Sequence, residues 1–105
     1  YPLWWDPNIL AATRRASGRI LGFHISDWTV PIADTLNDRG MMGDGVIDIA
    51  GLAHAVLATG YDGYAEVEIF SNFWWRKDPD YVVKTAIDRW SATVDVLSRQ
   101  GLYET

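Results

Sequence analysis

Two short apolar runs in this 105-residue chain each end on a side chain that can do chemistry. The run at 19–27 delivers His24 to its far end and then breaks into a polar loop, and the run at 64–70 places Glu68 at the matching height. Imidazoles and carboxylates both move protons when positioned against a reacting group, and α/β proteins build ligand sites where strands end at their carboxyl side. Three further charged residues lie near this pair in sequence. Glu66 shares strand parity with Glu68 and is expected to face the same way, where an unpaired carboxylate is costly, so it should be paired or close to water. Asp27 either orients His24 or binds substrate, or else it is a capping acid of the loop. Arg39, within the loop, either steadies a developing oxyanion or is solvated.

These residues need a frame that brings them together. Ile20, Leu21, Phe23 and Ile25 are the mix expected in a parallel strand covered on both faces, and parallel strands are joined by a crossover that is usually helical. One helical pattern does lie between the two runs: Ile49, Leu52, Ala53, Val56 and Leu57 repeat at helical spacing, with Asp48 as the N-cap and Gly60 past the end. His54 falls off that stripe and is expected at the surface. A first helix is predicted from Asp6 as N-cap and Pro7 at the first helical position to Gly18, with Ile9, Leu10, Thr13 and Ala16 on one side. A last one begins at Asp78 and Pro79, carries Val83, Ile87, Trp90, Val94 and Leu97, and closes at Gly101. The connection at 28–45 is too long for a plain strand-to-helix turn, and loops of such length are usually functional or disordered. It closes on Gly43, Asp44 and Gly45, which permit tight backbone turns. The first five residues suit the exit of another strand.

Composition narrows the classes. A formal charge of −5 speaks against wrapping nucleic acid or an anionic membrane, both of which call for a basic face. The absence of cysteine removes disulfides and thiolate metal sites. No stretch approaches the roughly 20 apolar residues of a spanning helix, and the default compartment is cytoplasmic. Six tryptophans include the pairs Trp4, Trp5 and Trp74, Trp75, each just before an Asp and a Pro; they read as packing residues or as sugar-stacking faces. Two parallel strands leave two open sheet edges with unpaired backbone groups. The fold expected is therefore α/β, the last part of a larger barrel or a partial barrel that associates with itself through those edges.

At His24, Arg39, Gly43-Asp44-Gly45 and Glu68 the chain resembles the xylose isomerase-like TIM barrels, which include sugar isomerases and epimerases, inosose dehydratase and endonuclease IV. Gly22 to Trp28 looks like the family's seventh strand, where a histidine is followed three residues later by an acid. Asp38 and Arg39 with the glycines at 43 and 45 look like its seventh βα loop. Gly60, Tyr61, Asp62 and Gly63 lead into, and Val67 to Phe70 lead out of, what looks like the eighth strand. Trp4 to Pro7 is similar to the segment after the sixth. The resemblance spans nearly the whole chain and implies a single partial domain over residues 1–105, the C-terminal portion of a (β/α)8 barrel holding helix 6, strand 7, helix 7, strand 8 and helix 8.

The same resemblance implies the chemistry. In that family a Glu, an Asp, a His and a second Glu hold one divalent metal, so His24 and Glu68 would be metal ligands and the other two would lie upstream of Tyr1. The ion would be Mn2+, Mg2+, Co2+ or Zn2+, incompletely liganded by this chain. Glu68 would also be the catalytic base of a sugar isomerase or epimerase working through an enediolate on a sugar or polyol. Arg39 matches the loop arginine that faces substrate in epimerase-like members, with Asp27 and Trp28 as further substrate contacts. Asp38 and Arg39 are similar to part of a metal-binding Asp-Arg-His of endonuclease IV, but Gly40 replaces the histidine, which with the acidic charge argues against DNA repair. The alternatives are an inosose dehydratase-like lyase, and a non-catalytic assembly that binds sugar or simply packs. Alone, the chain is expected to be inactive, its partner being the missing part of the barrel or another copy.

Overall fold

A computed structural model describes residues 5–99 and 101. In chain order the elements are helix α1 (Ile9–Arg15), strand β1 (Phe23–Ile25), helix α2 (Ile49–Ala58), strand β2 (Ala65–Val67), a short 3-10 turn at Trp74–Arg76 and helix α3 (Pro79–Arg99). The two strands form a parallel pair in which Phe23 faces Ala65, His24 faces Glu66 and Ile25 faces Val67. Among the described residues each strand keeps one edge without a neighbour.

Strand alternation sorts the side chains. Ile25 is buried and packs with Met42 and Ile49, and Phe23, Ile47 and Trp90 close around them. His24, one residue out of phase, emerges with the two glutamates of the second strand. The helical layer rests on α2, which touches both α1 and α3. Its buried residues Ile49, Ala53 and Val56 fall on the apolar stripe read from the sequence, and Asp48 caps it by accepting the Gly51 amide. His54 is exposed, as its position off the stripe implies. Helix α3 begins at Pro79, with Asp78 accepting the amide of Asp80, and buries Val94 and Leu97.

Three expectations need correction. Helix α1 starts at Ile9 with Asn8 at its cap, two residues later than the Asp6–Pro7 pattern predicts, because Asp6 spends its carboxylate on the Asn8 amide in a preceding turn. The strands are three residues each rather than the full apolar runs. Leu21 stands 97% exposed and Tyr64 83% exposed, so neither run is covered on both faces. The reason is the sheet itself: with one partner per strand, hydrogen bonding ends where the shared register ends. The expected exit of a preceding strand at residues 1–5 lies outside the described residues except for Trp5, as does the pairing of Trp4 with it. Trp74 stacks on Tyr81 with centroids 6.1 Å apart and meets Phe73 edge-on at 5.3 Å, which is the packing arrangement. Among the described residues no helix is long and apolar enough to cross a membrane.

Candidate active site

The register that sets His24 opposite Glu66 also fixes the site. The Glu68 amide continues the ladder by donating to the Ile25 carbonyl at 2.9 Å, which brings its side chain level with the imidazole. His24 Nδ1 lies 3.0 Å from Glu68 Oε2, and Nε2 lies 2.8 Å from Glu66 Oε2. One ring thus stands between two carboxylates. Their side chains are 51%, 56% and 38% exposed for His24, Glu66 and Glu68, and pairs this exposed contribute about 0–1 kcal/mol each. Stability does not explain gathering them at two strand ends. A neutral imidazole has one N–H to donate, so it satisfies one of its two acids, and the other contact calls for a second proton or a cation.

The separation also tests a metal. Two donors 3.0 Å apart can both reach one ion at the ~2.0–2.2 Å bonds that His nitrogen and carboxylate oxygen make to Zn2+ or Mg2+. The donor types suit such an ion. Among the described residues no three His, Asp or Glu side chains are grouped to hold one.

The loop at 28–45 is an ordered part of the site. Asp27 and Gly40 exchange backbone hydrogen bonds at 2.8 Å each, the Arg39 amide donates to the Phe70 carbonyl at 3.0 Å, and the Asn72 amide donates to the Asn37 carbonyl at 2.8 Å. Residues 37–40 therefore lie between the ends of the two strands, bridged to the β1 side at Asp27 and to the β2 side at Ser71. Met41 and Met42, which follow, are fully buried. Burying such side chains is worth roughly 1.5–3 kcal/mol apiece, enough to hold the segment down as core. Earlier in the loop the Leu36 and Asn37 amides bond to Asp34 and hold its carboxyl below the usual carboxylate range.

Asp27 organises this turn. Its side chain is 1% exposed and accepts from the amides of Trp28 (2.8 Å), Gly43 (2.9 Å), Gly45 (3.0 Å) and Ile47 (3.0 Å). Four N–H donors use up the acceptor sites of a carboxylate. Of the readings left open by the sequence, the geometry supports the loop acid, with nothing left over for substrate or His24. The glycines belong to the same device: Gly43 has φ +91, and a Cβ on Gly45 would collide with the Trp28 carbonyl oxygen. From α3, Arg89 Nη1 donates to the Met42 carbonyl and to Asp44 Oδ1 at 2.8 Å. Arg89→Ala is expected to lower stability by about 1 kcal/mol, most of it from the carbonyl left without its donor, read as a lower urea midpoint at unchanged slope.

Arg39 is 8% exposed. Its guanidinium lies over the Phe70 ring, 4.9 Å from the centroid, and its Nε is buried without a hydrogen-bond partner. His24, Glu68 and Arg39 line one cavity of about 330 Å3, with Ser26, Gly22 and the apolar Phe23, Ile25 and Ile47 among its other walls. Asp27 and Trp28 do not line it. Trp28 instead joins the loop framework, its carbonyl accepting the Val46 amide at 2.9 Å. Sequence reasoning missed the burial of the loop methionines and the contact of Glu66 with His24; strand parity was the one signal that could have given the last.

Residues 2–93 match the family model described as xylose isomerase-like TIM barrel. The crystal structure of protein SMc04130 from Sinorhizobium meliloti 1021 is similar at 46% identity and a TM-score of 0.82, over 86% of this chain. The chain spans 34% of the length of that protein. No curated protein matches the sequence.

Proposed function

The chain belongs to the xylose isomerase-like TIM barrel family, and from that premise we propose that it carries the seventh and eighth strands of a metal-dependent sugar isomerase or epimerase. The observation that carries this reading is the 3.0 Å approach of His24 and Glu68 on adjacent parallel strands, in a cavity they share with Arg39. His24 and Glu68 would hold the divalent ion together with donors from outside this chain. When bound, that ion supplies Lewis-acid stabilisation of negative charge on the substrate's oxygens.

The protein's own residues do the rest. Glu68 takes a proton from the carbon bearing a hydroxyl beside the carbonyl and returns it to the neighbouring carbon for isomerisation; for epimerisation a second acid on the opposite face, supplied from outside this chain, would return the proton there. Arg39, pinned by backbone bonds on both flanks, faces the substrate. Asp27 acts through the loop, keeping Arg39 in place.

The open edges support the partner reading. Leu21, Tyr64 and Val67 are exposed on or beside the two strands, as are Val83 and Ile87 of α3, and an uncovered row of backbone donors and acceptors invites another strand. The rest of a barrel would cover them, or failing that a second copy. The experiment is turnover of a ketose by the full-length protein in D2O with Mn2+. Solvent deuterium should appear at the carbon next to the carbonyl in recovered substrate and product, and the 105 residues alone, as a monomer, should give none. Turnover without deuterium at that carbon would overturn proton transfer by Glu68.

A further inference from the structure

His24 meets a different acid at each ring nitrogen, and the two contacts are not equivalent. The parallel register sets His24 directly opposite Glu66, so that side chain starts one strand spacing from the ring, whereas Glu68 comes from two residues further along the chain. Glu66 Oε2 lies 2.8 Å from Nε2, the length of a charge-assisted bond from an N–H to a carboxylate, and Glu68 Oε2 lies 3.0 Å from Nδ1. The two acids also differ in what they face. Glu68 lines the cavity together with His24 and Arg39, and Glu66 stands outside it.

A neutral imidazole carries one proton, and the nitrogen that holds it is set by the hydrogen bond that nitrogen makes. Held at Nε2, the proton is donated to Glu66, and Nδ1 keeps its lone pair beside the Glu68 carboxylate on the cavity side. Held at Nδ1, it would be spent on Glu68, and both of the donors that could share a cation there would be taken up by each other. Histidines that ligate metals commonly donate their other N–H to a carboxylate, which fixes the ring's orientation and makes the ligating nitrogen more basic.

We infer that Glu66 is a positioning residue: by accepting the Nε2–H of His24 it selects the tautomer whose Nδ1 lone pair, with Glu68, is offered to a divalent cation. It acts through the imidazole and from the cross-strand register. This rests on the reading of His24 and Glu68 as the pair that holds the ion.

The test reads the tautomer directly. Nitrogen-15 NMR of the His24 ring is recorded on the metal-free full-length protein at pH about 8.5, roughly two units above the ordinary imidazole pKa, for wild type, Glu66→Gln and Glu66→Leu. The expected result is a proton on Nε2 in wild type and in Glu66→Gln, whose side-chain oxygen still accepts, and a shift of the proton toward Nδ1 in Glu66→Leu, where Glu68 is the acceptor left. Mg2+ affinity, measured on the same proteins by calorimetry, should fall about 10–100-fold in Glu66→Leu and less than about tenfold in Glu66→Gln. A wild-type proton on Nδ1, protons on both nitrogens, or a tautomer unmoved in Glu66→Leu overturns the inference, as does equal Mg2+ affinity in wild type and Glu66→Leu. Wild-type protein that binds no Mg2+ would instead sink the reading of His24 and Glu68 as the ion's holders, and the tautomer spectra would then decide the role of Glu66 by themselves.

Discussion

Glu68→Gln in the full-length protein is expected to lower kcat by roughly 10^3-fold or more, near the upper part of the range for removing a positioned general base. The change is nearly isosteric, but an amide cannot accept the proton, and it is a poorer donor atom for a hard cation. Glu66→Gln provides the internal comparison. Both glutamates lie within 3.0 Å of His24, but only Glu68 lines the cavity with Arg39. If Glu66 serves only to steady the imidazole, its loss should cost about tenfold or less. Both carboxylates are well exposed, so neither substitution should shift the unfolding midpoint by more than the equivalent of about 0.5 kcal/mol, and circular dichroism checks that. Turnover of Glu68→Gln within tenfold of wild type would remove Glu68 as the base. An assembly that only binds sugar would show the same affinity in both variants and no turnover in either.

What the sequence disclosed depended on how local the causes were. Helix α2 was legible because one stripe and one cap, Asp48, lie within a dozen residues of each other and act on the same turns. The start of α1 was misread because Asp6 and Pro7 satisfy the usual helix-start pattern while the Asp6 carboxylate closes a turn instead. The contact of His24 with Glu68 was legible through strand parity, but the matching height was not: the register sets Glu66 opposite His24, and Glu68 reaches the imidazole from two residues further along its strand. Nor was the loop. The amide partners of Asp27 other than its neighbour lie sixteen to twenty residues further on, and no periodicity carries that information. Arg39 likewise reads as a solvated loop residue until the bridges at Asp27 and Ser71 draw its segment between the strands. The exposure of Leu21 follows from the missing neighbour and not from its own side chain.

The second large effect belongs to Asp27. Asp27→Ala should destabilise the protein by about 3–5 kcal/mol, the range for leaving the partners of a buried charge unsatisfied. Four amides lose their acceptor at once, and three of them belong to the turn at 43–47 that follows the buried methionines. Asp27→Asn is the sharper probe. The asparagine fills the same space, but its amide nitrogen is a donor set against N–H groups, so about half of that loss should remain. Hydrogen exchange locates the effect: the amides of Gly43, Gly45 and Ile47 should lose protection well before those of α2. Because Gly40 is bonded to the Asp27 backbone and Arg39 precedes it, loosening the turn should also cost substrate affinity, seen as a rise in KM larger than the fall in kcat. Protection at those three amides unchanged in Asp27→Ala would mean that Met41, Met42 and the Arg89 clamp hold the loop without the carboxylate, and that Arg39 owes its position to them.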